Sequence, residues 1–344
     1  MAAPKRLIDT QGMDRQRWLE CRMHGPLGDL DYTVGGSDVA AIFGISPWVT
    51  PLELWHMKKK LMSVVKTDNV DQMEMGHMLE PIAAHWYAKR TGNTVINDTW
   101  LYQHESFPYA LANFDYRYQE PGGQAGILEC KSTTYHKAID WIDDAIPAYY
   151  ELQLRFYLAV ADVEVGDFAC LWGNNPKTDL ATPRIWRDMT KENIIFEKLE
   201  RWIWSLRHDK PPTMEDIKPD LALAALARIY GAGKTGLPTI EFPRTFETPL
   251  RRIAHLQAEN ADLQQQMKKN DKELEGHAVR IAELMKQHEH GIMETTTDKL
   301  LIDFVTKTTR RPDSGKLKKD YPQVYQDVLK VSESRRVKVT VETA

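Results

Sequence analysis

The stretch from Asn113 to Ser132 constrains this chain more than any other. An apolar run, Tyr109 to Phe114, closes on Asp115; a connection holding Pro121, Gly122 and Gly123 follows; then comes Gly126-Ile127-Leu128-Glu129-Cys130-Lys131. Side chains alternate along a strand, so Glu129 and Lys131 share one face while Leu128 and Cys130 turn the other way, into a core. Folding back across the glycine-bearing connection lets Asp115 lie beside Glu129. Two carboxylates converging on one point suit a hard divalent cation, and an ammonium beside them suits a phosphate or a water losing its proton. The spacing therefore predicts metal-dependent phosphodiester chemistry in outline. A bare Glu-x-Lys on a strand is more often an exposed ion pair. What sets this one apart is the acid at the end of an apolar run, the glycine turn, and a preceding helix (Gly76 to Glu80) with a carboxylate of its own.

Asp115, Glu129 and Lys131 resemble the PD-(D/E)xK nuclease motif. Gly35-Gly36-Ser37-Asp38 with Val39 to Trp48, and Gly76-His77-Met78-Leu79-Glu80-Pro81, resemble further blocks of the YqaJ-type viral recombinase branch of the lambda exonuclease family. The three-residue motif is a weak pattern; the ordered set of blocks is specific. The resemblance covers roughly residues 10 to 205 and returns more weakly in the tail. It implies an α/β, restriction-endonuclease-like core with a mixed central sheet flanked by helices. It also implies an exodeoxyribonuclease that digests the 5′-ended strand of linear duplex DNA and leaves a 3′ overhang for a single-strand annealing protein. By the same resemblance Asp115, Glu129 and the backbone carbonyl of Cys130 would hold Mg²⁺, with Mn²⁺ as a substitute, and Lys131 would activate or orient the attacking water. Glu80 would be a metal-shell or water-positioning carboxylate, and Gln153 would orient the Lys131 side of the site or a phosphate oxygen. Arg22 and Ser37 would grip a DNA phosphate near the scissile end. Two other functions fit the residues: an endonuclease or nickase using the same site, and a non-catalytic DNA-binding scaffold, which would require a broken site.

Charge sharpens the expectation. The net charge of −4 excludes an argument from overall basicity, so DNA contact must come from local positive charge. Residues 306 to 338 supply it, with ten Lys/Arg against four Asp/Glu, and Arg310, Arg311, Lys318 and Lys319 are candidates for contact with the DNA backbone. Cys21, Cys130 and Cys170 are too few and too scattered for a disulfide framework or a four-cysteine cluster. The absence of a long apolar run or a signal-peptide pattern predicts a cytoplasmic protein of the bacterial host cell.

Helical spacing is expected over residues 12–25, 51–61, 68–90, 146–163 and 192–207, and strands over 94–96, 100–103, 110–114, 127–131, 165–172 and 185–187. Ser37 is expected where the Gly35-Gly36 turn leads into a helix start. Pro211-Pro212 marks a boundary, giving a nuclease core at 1–210, a helical segment at 211–290 and a basic α/β module at 291–344. Gly231-Ala232-Gly233-Lys234-Thr235 imitates a phosphate-binding loop but has Arg228 where the first glycine belongs. From Leu250 to His288 a heptad-like seam runs through Ile253, Leu256, Asn260, Leu263, Met267, Asn270, Leu274, His277, Ile281, Leu284 and His288. It fits a short coiled coil, an antiparallel hairpin or a helix lying on its own domain, and it admits a homo-oligomer. The tail predicts a strand at 300–306, a helix at 314–330 and a strand at 336–341.

Overall fold

Short apolar runs punctuated by Gly and Pro fold, in the computed structural model, into a mixed sheet with helices on both faces. The structure describes residues 4–62, 70–329 and 337–340, and the chain divides into two units, Met1–Gly231 and Ala232–Ala344.

In the first unit the elements run β1 (Lys5–Asp9), α1 (Arg15–His24), α2 (Gly36–Ile42), α3 (Pro51–Lys58), α4 (Val70–Thr91), β2 (Thr94–Asn97), β3 (Trp100–Gln103), β4 (Leu111–Ala112), β5 (Tyr116–Gln119) and β6 (Ala125–Ser132). They continue as α5 (Ala148–Ala161), β7 (Val165–Leu171), β8 (Leu180–Ala181), β9 (Arg184–Trp186), α6 (Met189–Arg207) and α7 (Pro219–Tyr230). The central sheet has the order β2-β5-β6-β7-β8, with β9 also paired to β7. β5 and β6 are antiparallel neighbours joined by a tight turn, whereas β6 and β7 are parallel, so α5 crosses over between them. A smaller antiparallel sheet, β1-β3-β4, lies apart from it.

Period-two alternation on β6 sends its side chains to two different cores. Leu128 and Cys130 pack with Ala83, Ala84 and Tyr87 of α4, while Ile127 joins Leu154, Phe156 and Phe168 on the α5 side. Both faces are therefore buried, and the Glu129 face meets a helix rather than water. This removes the reading of Glu129 and Lys131 as an exposed pair.

Local chemistry explains several element boundaries. Thr50 caps α3 by accepting from the Glu53 N–H, while the Glu53 carboxylate accepts from the Thr50 N–H at 2.9 Å, and Pro51 occupies the first turn. The other Glu53 oxygen accepts from Arg228 Nε at 2.5 Å. The residue that spoils the phosphate-loop imitation thus holds α7 against α3, and the first unit runs on past the Pro211-Pro212 break to Gly231.

Some local expectations need correction. β5 was hidden in the connection after Asp115, and β1 lay before the first expected helix, because a short strand needs a partner rather than a long periodic run to form. In the second unit, α8 (Glu247–Met285) is one continuous helix, followed by the hairpin β10 (His290–Glu294) and β11 (Lys299–Asp303), α9 (Ser314–Asp320) and α10 (Pro322–Asp327). The single helix expected at 314–330 is two, broken at Tyr321-Pro322, since a proline cannot continue a helix hydrogen-bond ladder. Of the strand expected at 336–341, residues 337–340 are not a strand, and Arg336 and Val341 lie outside the described residues, as do Asp68 and Asn69. Among the described residues no helix is long and apolar enough to cross a membrane.

Candidate active site

The β5–β6 register brings the two acids together. Tyr116 pairs with Leu128 in this antiparallel ladder, so Asp115, one residue before β5, stands across from Glu129. Asp115 Oδ2 accepts the Cys130 N–H at 2.8 Å, which fixes its carboxylate at the edge of the pair.

Glu129 is buried, 2% exposed, and its two oxygens have unequal surroundings. Oε1 accepts from Lys131 Nζ at 2.7 Å and from Gln153 Nε2 at 2.7 Å. Oε2 is buried without a hydrogen-bond donor. Asp167, on the neighbouring β7 and equally buried, shows what a finished carboxylate looks like: Arg184 grips both its oxygens at 2.7 and 2.8 Å, and the Tyr87 hydroxyl adds a bond at 2.5 Å. Leaving a buried acceptor unpaired costs about 1–3 kcal/mol, so the bare Glu129 oxygen is a costly feature beside a second carboxylate.

Electrostatics agree with that geometry. Burial, then the negative charges of Asp115 and Glu80, push the Glu129 carboxyl well above the usual carboxylate range, against the pull of Lys131. Asp115 is raised by burial, with Lys131 and the Cys130 N–H opposing. Glu80 on α4 is raised by burial and by Asp115, with its His77 partner at 2.9 Å opposing. For Lys131, burial works against the charge, but Glu129 and Asp115 more than offset it and the ammonium is held charged. Three mutually repelling carboxyls around one lysine are short of positive charge.

Among the described residues no three His, Cys, Asp or Glu side chains form a preformed metal cage. That is compatible with Mg²⁺, which keeps several waters and takes only one or two protein carboxylates plus substrate phosphate. The donor set here, all hard oxygens with one of them unpartnered, fits such an ion. The cysteine thiols do not contribute: Cys130 turns into the α4 core, and burial pushes its thiol up.

Arg22 and Ser37, fifteen positions apart, are brought to 3.2 Å (Nη2 to Oγ). The Arg22 guanidinium lies 4.6 Å from the centre of the Trp18 ring, and Trp18 Nε1 donates to Asn113 at 3.2 Å, two residues before Asp115. Gly35 and Gly36 were expected as a flexible turn, but their role is close approach. A Cβ on Gly35 would stand 2.3 Å from Arg22 Nη2, and one on Gly36 would stand 2.3 Å from the Tyr157 ring. Ser37 is consequently not the residue that caps α2; Gly35 is, with its N–H donating to Asp38 at 3.0 Å. Tyr157 hydroxyl in turn accepts from Gln153 at 3.0 Å, so a continuous path joins Arg22 to Glu129 through α2 and α5.

Sequence reasoning passed over several of these groups. Tyr150 presents its ring 4.9 Å from Lys131 Nζ and packs on Tyr149 and Trp48. Trp18 precedes Arg22, and Gln153 precedes Tyr157, by four residues, a helical-turn spacing that could have flagged both pairs. Lys58, which holds Asp38 at 2.8 Å, carried no local signal. The expected DNA-backbone residues lie in the second unit: Arg310 and Arg311 in an exposed coil, Lys318 and Lys319 exposed on α9.

Comparison with known proteins follows the same residues. A model of the YqaJ-like viral recombinase domain matches residues 17–164. The uncharacterized protein YqaJ of Bacillus subtilis (strain 168) is 27% identical over 337 residues, covering 96% of this chain and 95% of that protein. Among solved structures, an alkaline exonuclease from Laribacter hongkongensis matches with a TM-score of 0.46 and 18% identity, covering 57% of this chain and 94% of its own. A phage-related exonuclease from Haemophilus somnus 129PT matches with a TM-score of 0.36 and 13% identity, covering 51% and 91%. Residues 17–164 hold the whole path from Trp18 and Arg22 to Glu129 and Tyr157, and it is over this stretch that the chain is similar to the YqaJ-like viral recombinase domain.

Proposed function

We propose that this chain is a metal-dependent exodeoxyribonuclease that degrades the 5′-ended strand of linear duplex DNA and leaves a 3′ single strand for an annealing protein. The observation that carries the reading is the Glu129 carboxylate. One of its oxygens is shared by Lys131 and Gln153, the other is buried without a donor, and Asp115 stands beside it. Similarity to the YqaJ-like viral recombinase domain over residues 17–164 supports DNA as the substrate and recombination as the setting.

Asp115 and Glu129, with the Cys130 carbonyl and Glu80 through water, would hold Mg²⁺ or Mn²⁺, which when bound neutralises charge on the scissile phosphate and the leaving oxygen. Gln153 fixes the Glu129 oxygen that the lysine shares, so the free oxygen keeps one direction. Lys131, seated between Glu129 and the Tyr150 ring, orients the attacking water and a phosphate oxygen. Arg22 presents a planar fork of donors to a terminal 5′-phosphate, with the Ser37 hydroxyl beside it, and so sets the register of the cut. The exposed Arg310, Arg311, Lys318 and Lys319 would add sequence-independent contact with the DNA backbone.

The test is an initial-rate comparison with Mg²⁺ on closed circular duplex, linear 5′-hydroxyl duplex and linear 5′-phosphorylated duplex, for wild type and Arg22→Ala. The expected result is no cutting of the circle, fastest release of nucleotides from the 5′-phosphorylated end, and loss of most of that preference in Arg22→Ala. Nicking of the circle, or equal rates on the two linear ends, would overturn the exonuclease reading in favour of an endonuclease with the same site.

A further inference from the structure

The second unit has almost nothing buried. Among its described residues Met285 alone is a buried hydrophobic side chain, while α8, 39 residues and about 58 Å long, leaves Leu263 49%, Met267 64%, Leu274 67% and Leu284 83% exposed. An apolar stripe on a helix of this length is an uncovered interface. We propose that α8 is covered by α8 of a second copy of this chain, as an antiparallel two-stranded coiled coil with Ile253 facing Leu284 of the other copy. The seam itself selects this occupant and this register.

Positions Ile253, Asn260, Met267, Leu274 and Ile281 repeat every seven residues, and Leu256, Leu263, Asn270, His277 and Leu284 form the alternate set. In an antiparallel pair each member of the first set faces one of the second set. With Ile253 opposite Leu284, the same register puts Ile281 opposite Leu256 and Leu274 opposite Leu263, apolar against apolar in all three pairs. It also puts Asn260 opposite His277, so two of the three polar interruptions meet each other, while the third, Asn270, meets Met267. On the flanks Glu259 faces Arg280 and Gln264 faces Asp271, each pair occurring twice by the two-fold symmetry. An in-register parallel pair avoids the Met267–Asn270 mismatch but loses the charge complementarity. It sets Asn260, Asn270 and His277 against their own copies, and its flanking pairs (Glu259 with Gln264, Gln266 with Asp271, Glu273 with Ala278, Arg280 with Met285) contain no opposite charges.

One intramolecular contact borders the seam. Gln257 donates to the Val337 carbonyl at 2.8 Å and accepts the Val339 N–H at 3.1 Å. In the proposed register the flanking residue opposite Gln257 is Ala278, which is small enough to leave that segment in place.

The experiment uses the full chain. Sedimentation equilibrium should give twice the chain mass. Because Cys21, Cys130 and Cys170 are buried, single surface cysteines report the register cleanly under mild oxidation. Leu263→Cys protein mixed with Leu274→Cys protein should form a disulfide-linked dimer, and neither protein should do so alone. Glu259→Arg should raise the dimer Kd roughly tenfold by placing like charges opposite each other at both ends, and Glu259→Arg/Arg280→Glu should restore it. A monomer at micromolar concentration, cross-linking of Leu263→Cys with itself, or a dimer whose Kd ignores Glu259→Arg would each overturn the proposal. Circular dichroism of each variant separates a lost interface from a lost helix: unchanged helicity with monomeric mass in Leu263→Glu/Leu274→Glu supports the seam, and an unchanged dimer in that variant refutes it.

Discussion

At the scale of single residues, the site is a place where folding energy has been left unspent. Glu129 is held in the sheet with an unpartnered oxygen and two other carboxyls nearby, whereas Asp167 on the next strand is fully paired. Changing Glu129→Gln or Asp115→Asn should therefore lower the cleavage rate by about a hundredfold or more, since charge stabilisation by a bound cation is worth several kcal/mol. The melting temperature should stay at or above that of wild type, because both changes relieve repulsion. Initial rates on linear duplex and a thermal melt check this; a variant with more than about a tenth of the wild-type rate contradicts the assignment. Tyr150 offers a finer test, because only its ring face touches the lysine. Tyr150→Phe should keep near wild-type kcat, and Tyr150→Leu should lose roughly three- to thirtyfold in kcat with little change in KM, the range expected for a cation–π contact.

At the scale of elements, the question is what keeps α2 against α5 and α1. The two glycines allow the approach, and the Lys58–Asp38 pair at 2.8 Å, with Lys58 also donating to the Thr33 carbonyl at 2.9 Å, holds it. Thr33 hydroxyl donates to the Arg22 carbonyl, which ties α1 to the same junction. Gly36→Ala should lower stability by about 1–3 kcal/mol, since the added methyl must displace the buried Tyr157 ring, and should lower activity further by moving Gln153. Asp38 carries a pH signature. Burial raises its carboxyl, but Lys58, Arg22 and the Gly35 N–H more than offset that, so its folded value lies below the ordinary 3.8. A carboxyl depressed in the folded state stabilises above its unfolded value and loses that contribution as pH falls through the folded one. Asp38→Asn should accordingly be less stable than wild type at pH 7, by about 1.5–3 kcal/mol, and the gap should narrow as pH is taken below about 4. A gap that does not narrow at all as the pH falls would show that shape rather than charge matters at this junction.

At the scale of the whole molecule, the candidate site and the buried clusters lie in the first unit, whereas among the described residues of the second only Met285 is a buried hydrophobic side chain. The first unit has a core on both sides of its sheet and extends through α7, whose Arg228 reaches the fully buried Glu53. A fragment ending at residue 210 should therefore melt well below one ending at residue 231, because it strands that carboxylate; removing one partner of a buried pair costs about 3–5 kcal/mol. Equal melts would show that α7 is dispensable to the unit. Calorimetry of the two fragments decides it.

What the sequence determined by itself was whatever depends on near neighbours along the chain. The alternation around Leu128, Glu129, Cys130 and Lys131 specified a strand and its two faces, the three- and four-residue spacing from Tyr149 to Val160 specified α5, and the heptad seam specified helix over 250–288 but left open the hairpin that the continuous α8 excludes. The ordered blocks around Arg22, Ser37, Glu80, Asp115, Glu129 and Gln153 named the candidate residues. Tertiary structure decided how those residues meet. That β5 exists and faces β6, so that Asp115 stands across from Glu129, depends on a pairing across a turn that no periodicity announces. That Gly35 and Gly36 are close-approach residues depends on Arg22 and Tyr157 arriving from other helices. That one Glu129 oxygen is buried without a donor depends on Lys131 and Gln153 both reaching the other one. Side-chain direction and helix phase are local properties set by covalent geometry, whereas burial and pairing belong to chains already folded together, and it is burial that turns two acids and a lysine into a site.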